Sequence, residues 1–522
     1  MKPIENNIPK EKFQFAKQND TSHDKKLDTK PVSYLKDAFS RFKKNKASIT
    51  ASIIIGILIL FALIVPIFSK YTVAYNDINY SYTLPKNELF YSLGIDFWDG
   101  CQEKELKGET FYRYYAMGLE TGHYAIKNQD KGGYEIIETV DSMTNKKVKL
   151  YKFRLDTYQY KGVVFMDVTP EQYQSIQKYQ DETGIQVIYP ITDPEKRPTA
   201  VQDLKEANYW YETNNINGKT ALIFDSKGEP VFNNIYLAYN GKDDYTSIVR
   251  IDENNEYAYA VQNSVGYEIR VNYYEYYIYY HSYFLKDKIT KPSFVFGTTS
   301  SGQDIFTCLA SGARFSFILA ILVASVNLFV GAIYGSIEGY YGGKIDLAME
   351  RFSDILSAVP FMIVITLLKY HMKNTSHVLL LFISFFLTGW IGMASRTRMQ
   401  FYRFKNQEYV YAARTLGAND RRIMFKHIFP NAIGTLITGS VLVIPSVIFS
   451  ETSLSYLGII NLNTGNLTSV GTLLAGGQAH LITYPHIIFF PALFISLLML
   501  SFNLFGNGLR DAFNPSLRGT DE

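Results

Sequence analysis

Six apolar runs decide most of what this chain can become. They cover residues 49–68, 315–337, 355–370, 378–394, 433–449 and 487–505. A helix needs roughly 20 mostly apolar residues to cross a bilayer, and several of these runs fall short of that. Inside hydrocarbon each backbone N–H and C=O must be satisfied within its own segment, so the runs are expected to be helices. Pro360, Pro445 and Pro491 lie in the third, fifth and sixth runs, where they read as packing kinks. The expected fold class is an α-helical polytopic membrane protein with six transmembrane helices. The mean hydropathy of −0.06 conceals this, because a long polar block separates the first run from the second.

Basic residues near the span ends set the orientation. Arg41, Lys43, Lys44 and Lys46 precede the first run, and Lys344 and Arg351 lie between the second and third. Arg396, Arg398, Arg403, Lys405, Arg414, Arg421, Arg422 and Lys426 lie between the fourth and fifth, whereas 458–486 has no Lys or Arg. Both termini are therefore expected in the cytoplasm, with the polar block outside. The first run is read as an uncleaved anchor: a long hydrophilic stretch precedes it and no small-x-small cleavage site follows. The resulting division is a cytoplasmic tail at 1–47, largely disordered, a first span at 48–69, and an outer domain at 70–292. A membrane core at 293–510 carries a polar loop at 396–431, and a cytoplasmic tail follows at 511–522. The net charge of +3 suggests no nucleic-acid partner, and two cysteines, Cys101 and Cys308, leave little room for a disulfide framework.

The outer block, roughly 220 residues, is long enough for a core of its own. "TALIFDS", "PVFNNIYLAY" and "GYEIRVNYYEYYIYY" are β-branched and aromatic and read as strands. "TPEQYQSIQKYQDETG" reads as a helix with Thr169 as N-cap, Pro170 at N1, Gln172 at N3 and Gly184 as stop. An α+β domain, mostly strands, is expected. The cluster Tyr273, Tyr274, Tyr276, Tyr277, Tyr279, Tyr280 and Tyr283 reads as strand surface and core, with an interfacial belt or a peptide-contact platform as the other readings. His123 and His281 are expected to be solvated.

The loop "EYVYAARTLGANDRRIMFKHIFPNA", residues 408–432, is charged although apolar runs flank it. Residues 408–416 favour a helix in which Ala412 and Ala413 form a flat face. Gly417 breaks that helix. Asn419 is an N-cap for a second one, with Asp420 in its first turn. Met424 with Ile428, and Phe425 with Phe429, are spaced to share an apolar ridge, and Pro430 closes the unit. Arg421 and Arg422 give it a basic rim. On these residues alone, a helix lying on anionic lipid and a unit that docks a partner fit equally well.

The order E-Y-V-x-A-A-R-x-L-G, then I-F-P-N after ten residues, resembles the "EAA" loop of bacterial ABC importer permeases. Glu408, Tyr409, Val410, Ala412, Ala413, Arg414, Leu416 and Gly417 carry it, followed by Ile428, Phe429, Pro430 and Asn431. "FGTTSSGQDIFTCLASGARFSF", "GYYGGKIDLAMERFSDILSAVPFMI", "FSETSLSYLGI" and "NLFGNGLRDAFNPSLR" are similar to segments of dipeptide/oligopeptide permease C-type subunits. The resemblance covers about 41–101 and 292–518. It departs at Thr299 and Gln303, where that family usually has Asp and Arg. The block at about 102–291 is longer than the family norm.

The resemblance implies a type I ABC importer permease in the plasma membrane of a bacterium, forming half of a pore for peptides. It implies a second homologous permease, two cytoplasmic ATPases docked on 408–431, and an extracellular peptide-binding lipoprotein. The chain has no G-x-x-x-x-G-K-[ST] loop, no metal-ligand spacing and no nucleophile elbow. It is expected to be no enzyme and to bind no cofactor, with ATP and Mg²⁺ on the partner ATPases. Glu451, the one acid close to a span core, is a possible intramembrane polar site, with a structural hydrogen bond as the competing reading. The alternatives are a membrane-anchored sensor with an outer ligand-binding domain, or a permease for nickel or another small solute.

Overall fold

Helix α1 (Tyr34–Lys44) meets α2 (Lys46–Phe68) at Asn45, whose side chain accepts from Ser48 N at 3.2 Å and caps α2. This computed structural model describes residues 34–93, 95–140, 145, 147–193, 195, 210–216, 219–241, 245–462 and 467–513. Residues 1–33 of the tail expected to be largely disordered, and 514–522 of the C-terminal tail, lie outside these, whereas 34–44 and 46–47 of that first tail are helical, in α1 and the start of α2.

Between the first two long apolar helices the chain folds into mixed structure. In order come β1 (Cys101–Lys107), α3 (Gly108–Thr121), β2 (Tyr134–Val140), β3 (Lys147–Asp156), β4 (Val163–Val168) and α4 (Pro170–Thr183). Then follow β5 (Ile188–Tyr189), β6 (Thr213–Ile216), β7 (Lys219–Leu222), β8 (Ala260–Gln262), β9 (Tyr267–Asn272) and α5 (Tyr273–Ile278). Strand β3 is central to an antiparallel sheet with β1 and β2, in register Cys101↔Asp156 and Tyr134↔Phe153. Strand β9 pairs with β4 along one edge and with β5 and β8 along the other. Helix α4 forms with the Thr169/Gln172 capping box read from its sequence. The segment 230–239 makes isolated bridges, Tyr236 to Thr192 and Ala238 to Tyr257, rather than a strand.

The tyrosine run corrects the strand reading. The strand ends at Asn272, whose side chain accepts from Glu275 N at 3.2 Å and starts a helix. Residues Tyr279–Leu285 continue it as a π-helical turn. A helical path buries Tyr273, Tyr276 and Tyr277 together against Tyr80 and Phe294, so tertiary packing overrides the β preference of aromatics. Nor is either histidine fully solvated: His123 is half-buried. His281 is buried with Nδ1 2.7 Å from Asp287 Oδ2, and His123 Nε2 lies 3.2 Å from Glu275 Oε1.

The membrane core comprises α6 (Ile305–Tyr341), α7 (Gly343–Ser357), α8 (Phe361–His371), α9 (His377–Phe404), α10 (Glu408–Thr415), α11 (Asp420–Tyr456), α12 (Val470–Gly477) and α13 (His486–Phe513). Among the described residues five helices, α2, α6, α9, α11 and α13, are long and apolar enough to cross a membrane; α7 with α8 would make a sixth. That pair is bent by 72°, more than the kink expected of Pro360. Proline lacks an N–H and disfavours α geometry in the residue before it, so α7 stops at Ser357 and α8 restarts after Pro360.

A glycine seam joins α6 to α9. A Cβ at Gly335 would lie 2.1 Å from Ala394 O, one at Gly331 2.6 Å from Met393 Cβ, and one at Gly339 2.7 Å from Phe401 Cβ. Small residues four apart let two backbones approach where lipid supplies no hydrophobic drive, and this fixes α9 along α6.

The turn before α6 explains the two departures in charge. Thr299 N donates to Gln303 O at 3.0 Å, and Gln303 N to Thr299 Oγ1 at 3.2 Å. The two positions face each other, so the missing charges leave together as a neutral pair. Asp304 then caps α6. Its Oδ2 accepts from Thr307 N at 2.9 Å, while Oδ1 is buried with no hydrogen-bond partner among the described residues. Burial pushes its carboxyl up to about 6 from an ordinary 3.8. A folded value above the unfolded one means that ionisation opposes folding above pH 6, and that this cost fades as pH falls through 6 toward 4. Asp304→Asn keeps the cap acceptor and loses the charge. It should raise the thermal midpoint of the detergent-solubilised chain at pH 7.5 and flatten its slope between pH 6 and 4. A lower midpoint at pH 7.5 would reject this account.

Candidate functional site

The loop joining α9 to α11 is built on a small apolar floor. Val410 of α10 and Ile423, Met424 and Ile428 of α11 are buried, packed with Tyr340 and Phe401, and Ala413 of α10 is buried as well. Above the floor the chain turns at Gly417, with φ +82°, a conformation that glycine adopts without penalty. Gly417 N donates to Arg414 O at 3.0 Å and Ala418 N to Ala413 O at 3.0 Å. Asn419 caps the second helix, its side chain accepting from Arg422 N at 2.9 Å.

Polar ties pin the turn to α6. Tyr340 OH donates to Asp420 Oδ1 at 2.5 Å, and Arg414 Nη2 donates to Tyr340 OH at 3.4 Å. Asn431 Nδ2 reaches Tyr409 OH at 3.3 Å and joins α11 back to α10.

Three expectations need correction. Ala412 and Ala413 do not share an outward face: Ala412 is exposed, whereas Ala413 is only 8% exposed. The apolar ridge divides, because Met424 and Ile428 turn inward while Phe425 stays exposed. Pro430 does not close the unit, since the helical segment Ile423–Ile428 runs straight into Phe429–Val441. The six residues Ile423–Ile428 widen into a π-helical turn, with Phe429 N donating to Met424 O. That widening takes up the contact Pro430 would otherwise force on the preceding turn.

What the turn presents outward is an apolar tip in a polar rim. Leu416 is 88% exposed, and Glu408, Tyr409, Tyr411, Arg414, Arg421, Arg422 and Pro430 are exposed around it. Separately, Arg396, Arg403 and Arg510 line a cavity of about 420 Å³ between α9, α11 and α13.

Arg398, read from sequence only as an orientation marker, is the hub of an ion-pair cluster. Its Nε and Nη2 lie 2.6 and 2.9 Å from the Asp346 carboxylate, and its Nη1 2.7 Å from Glu350 Oε1. Glu338 Oε1 is 3.6 Å away. One guanidinium thus fastens α7 to α6 and α9 beside the loop. Two-pronged pairing of this kind fixes geometry as well as charge.

Glu451 is fully buried. Ser316 Oγ donates to its Oε2 at 2.8 Å and Ser455 Oγ to its Oε1 at 3.0 Å. The Ser316 bond joins α11 to α6 and the Ser455 bond stays within α11, an arrangement that matches the structural hydrogen bond offered by the sequence.

A bundle of five or six apolar helices, carrying a pinned and exposed helix-turn-helix between two of them, defines a polytopic membrane protein. A family model described as a binding-protein-dependent transport system inner membrane component matches residues 327–519. A second, the N-terminal TM domain of oligopeptide transport permease C, matches 33–85. The chain belongs to this family of binding-protein-dependent transport permeases. It is 43% identical to the oligopeptide transport system permease protein OppC of Bacillus subtilis over 232 residues, covering 44% of this chain and 75% of that protein. It is 39% identical to OppC of Haemophilus influenzae over 223 residues, 43% of this chain and 70% of that one. The dipeptide transport permease DppC of Bacillus subtilis is 38% identical over 233 residues, 43% of this chain and 69% of that one. A solved structure of the inward-facing MetNI methionine ABC transporter aligns with 39% of this chain and 96% of its own, at 14% identity and a TM-score of 0.32, too slight a likeness to argue from. Residues 86–326 lie between the two family models and contain all the strands described above.

Proposed function

We propose that this chain is one of two permease subunits of an ATP-driven oligopeptide or dipeptide importer in a bacterial plasma membrane. The observation that carries the coupling role is an apolar tip, Leu416, held out on a turn whose own floor is buried and whose base is tied to α6. A side chain so exposed on so fixed a support suits insertion into a partner's groove. In this reading two cytoplasmic ATPases, holding ATP and Mg²⁺, receive 408–431, with Glu408, Tyr409, Ala412, Arg414, Leu416, Arg421, Arg422 and Pro430 outward. Gly417 supplies the turn, and Ala413 and Ile428 carry load inward to α6 and α9. A homologous permease completes the pore, and a peptide-binding lipoprotein delivers substrate from outside to the domain at 70–292.

Closure of the ATPases would move the turn as a lever, and the bundle would change between two packings. ATP binding shifts that equilibrium only through a difference in its affinity for the two states. Family membership sets aside the sensor reading. Both termini and the arginines at 396–426 are cytoplasmic in this assignment, as the distribution of basic residues favours.

The test uses the tagged full chain purified from its own membranes. Wild type should carry along ATPases that contain phosphate loops, together with the second permease. Leu416→Asp should retain the permease and lose at least 90% of the ATPase. Equal ATPase recovery from both would overturn the docking assignment.

A further inference from the structure

The inserted domain contains a cavity that the transport reading leaves without a use. It measures about 470 Å³ and is lined by Tyr75, Asp77, Asp167, Tyr276, Tyr280 and His281 among others, with no lysine or arginine among the described residues of its wall. Cavities of this size suit small ligands.

The chemistry of the wall is one-sided. The Asp77 carboxylate accepts from Tyr273 OH at 2.8 and 2.7 Å and from Asn79 N at 3.0 Å. All of these donors are neutral. Asp167 is exposed at the rim and accepts from Asn263 Nδ2 at 2.6 Å. Among the described residues neither aspartate forms an ion pair. His281 is already engaged, with Asp287 Oδ2 2.7 Å from its Nδ1. The rings of Tyr276 and Tyr280 stack at 5.8 Å and 15°, and Tyr75 OH meets Tyr277 OH at 2.9 Å. Aromatic rings and ionised carboxylates on one concave surface attract cations, while the carboxylates repel anions.

We infer that this cavity binds a primary ammonium group, seated between Asp77 and Asp167 with its alkyl stem over the tyrosine rings. The group could belong to a peptide's amino terminus or to a free alkylamine. Its place in the fold gives it reach. Gly302 packs on Asp77 so closely that a Cβ there would come within 1.8 Å of Asp77 O, and Gly302 belongs to the turn that starts α6. The inference stands independently of the coupling role of 408–431.

The test is calorimetric titration of the purified full chain with tri-alanine amide, N-acetyl-tri-alanine amide and propylamine. Tri-alanine amide should bind, and acetylation should weaken it at least tenfold. Asp77→Asn should bring the free peptide down to the acetylated level. Asp167→Asn, at an exposed rim position that leaves the fold alone, should weaken it at least threefold. Propylamine binding as tightly as the peptide would support a free amine as the occupant; at least tenfold weaker binding would support a peptide amino terminus. Equal binding of free and acetylated peptide, no binding of either amine, or full affinity in Asp167→Asn would overturn the inference.

Discussion

Replacing Gly417 with proline should cut substrate uptake by more than tenfold while leaving the chain inserted in the membrane. The backbone at 417 has φ +82°, and proline holds φ near about −65°. Proline also removes the N–H that donates to Arg414 O. The turn cannot keep its path, so α10 and the start of α11 lose their mutual angle. Leu416 moves with them, because it immediately precedes the break. A Cβ at 417 would meet nothing within 4 Å, so the bundle itself has no reason to fail. Gly417→Ala makes the graded control. A left-handed conformation costs a non-glycine residue about 1–2 kcal/mol, which should slow uptake without stopping it. Labelled-peptide uptake, normalised to the inserted chain on an immunoblot, reads all three. Normal uptake with Gly417→Pro would count decisively against a lever at this turn. Ala413→Arg is a poorer probe, because Ala413 is buried and an arginine there would disrupt the floor before it touched a partner.

The parts of this site that were legible in sequence are those governed by local rules. Gly417 as a break, Asn419 as a cap and the Thr169/Gln172 box each depend on a few neighbouring residues, and each forms as read. The misreadings arise where distant packing decides. The tyrosines after Asn272 favour strands intrinsically, yet burial against Tyr80 and Phe294 makes them helical. Pro430 is a stop signal locally, but a π-helical turn and the apolar run that follows it carry the helix through. The ion-pair role of Arg398 depends on α7 folding back beside α9, which no spacing in the chain reveals. The glycine seam was in plain view, with Gly331, Gly335 and Gly339 four residues apart. Its partner surface on α9 was not.

Arg270→Ala should unfold the core of the inserted domain while the membrane helices stay folded. Arg270 is fully buried on β9. Its Nη1 and Nη2 lie 2.6 and 2.7 Å from the two oxygens of Glu120 on α3, and Nη1 also donates to Pro190 O at 3.0 Å. The guanidinium carbon sits 4.8 Å from the Trp210 ring, and Tyr236 OH donates to the same Glu120 at 2.7 Å. One side chain therefore joins the two sheets of the domain, for α3 packs on β1 and β3 while Arg270 belongs to β9. Removing one partner of a buried pair leaves the other charged and uncompensated, at a cost of about 3–5 kcal/mol. A domain stable by about 5–15 kcal/mol then becomes marginal or unfolded. Limited proteolysis of the full chain should show cleavage appearing within 101–278 and not within 305–513. The double substitution Arg270→Met with Glu120→Leu separates charge from shape, because apolar residues of similar volume often replace a buried ion pair at little cost. It should recover most of the protease resistance. Wild-type resistance in Arg270→Ala would mean that the two sheets do not depend on this pair. Failure of the double variant alone would place the requirement in the Pro190 and Tyr236 hydrogen bonds rather than in the charge.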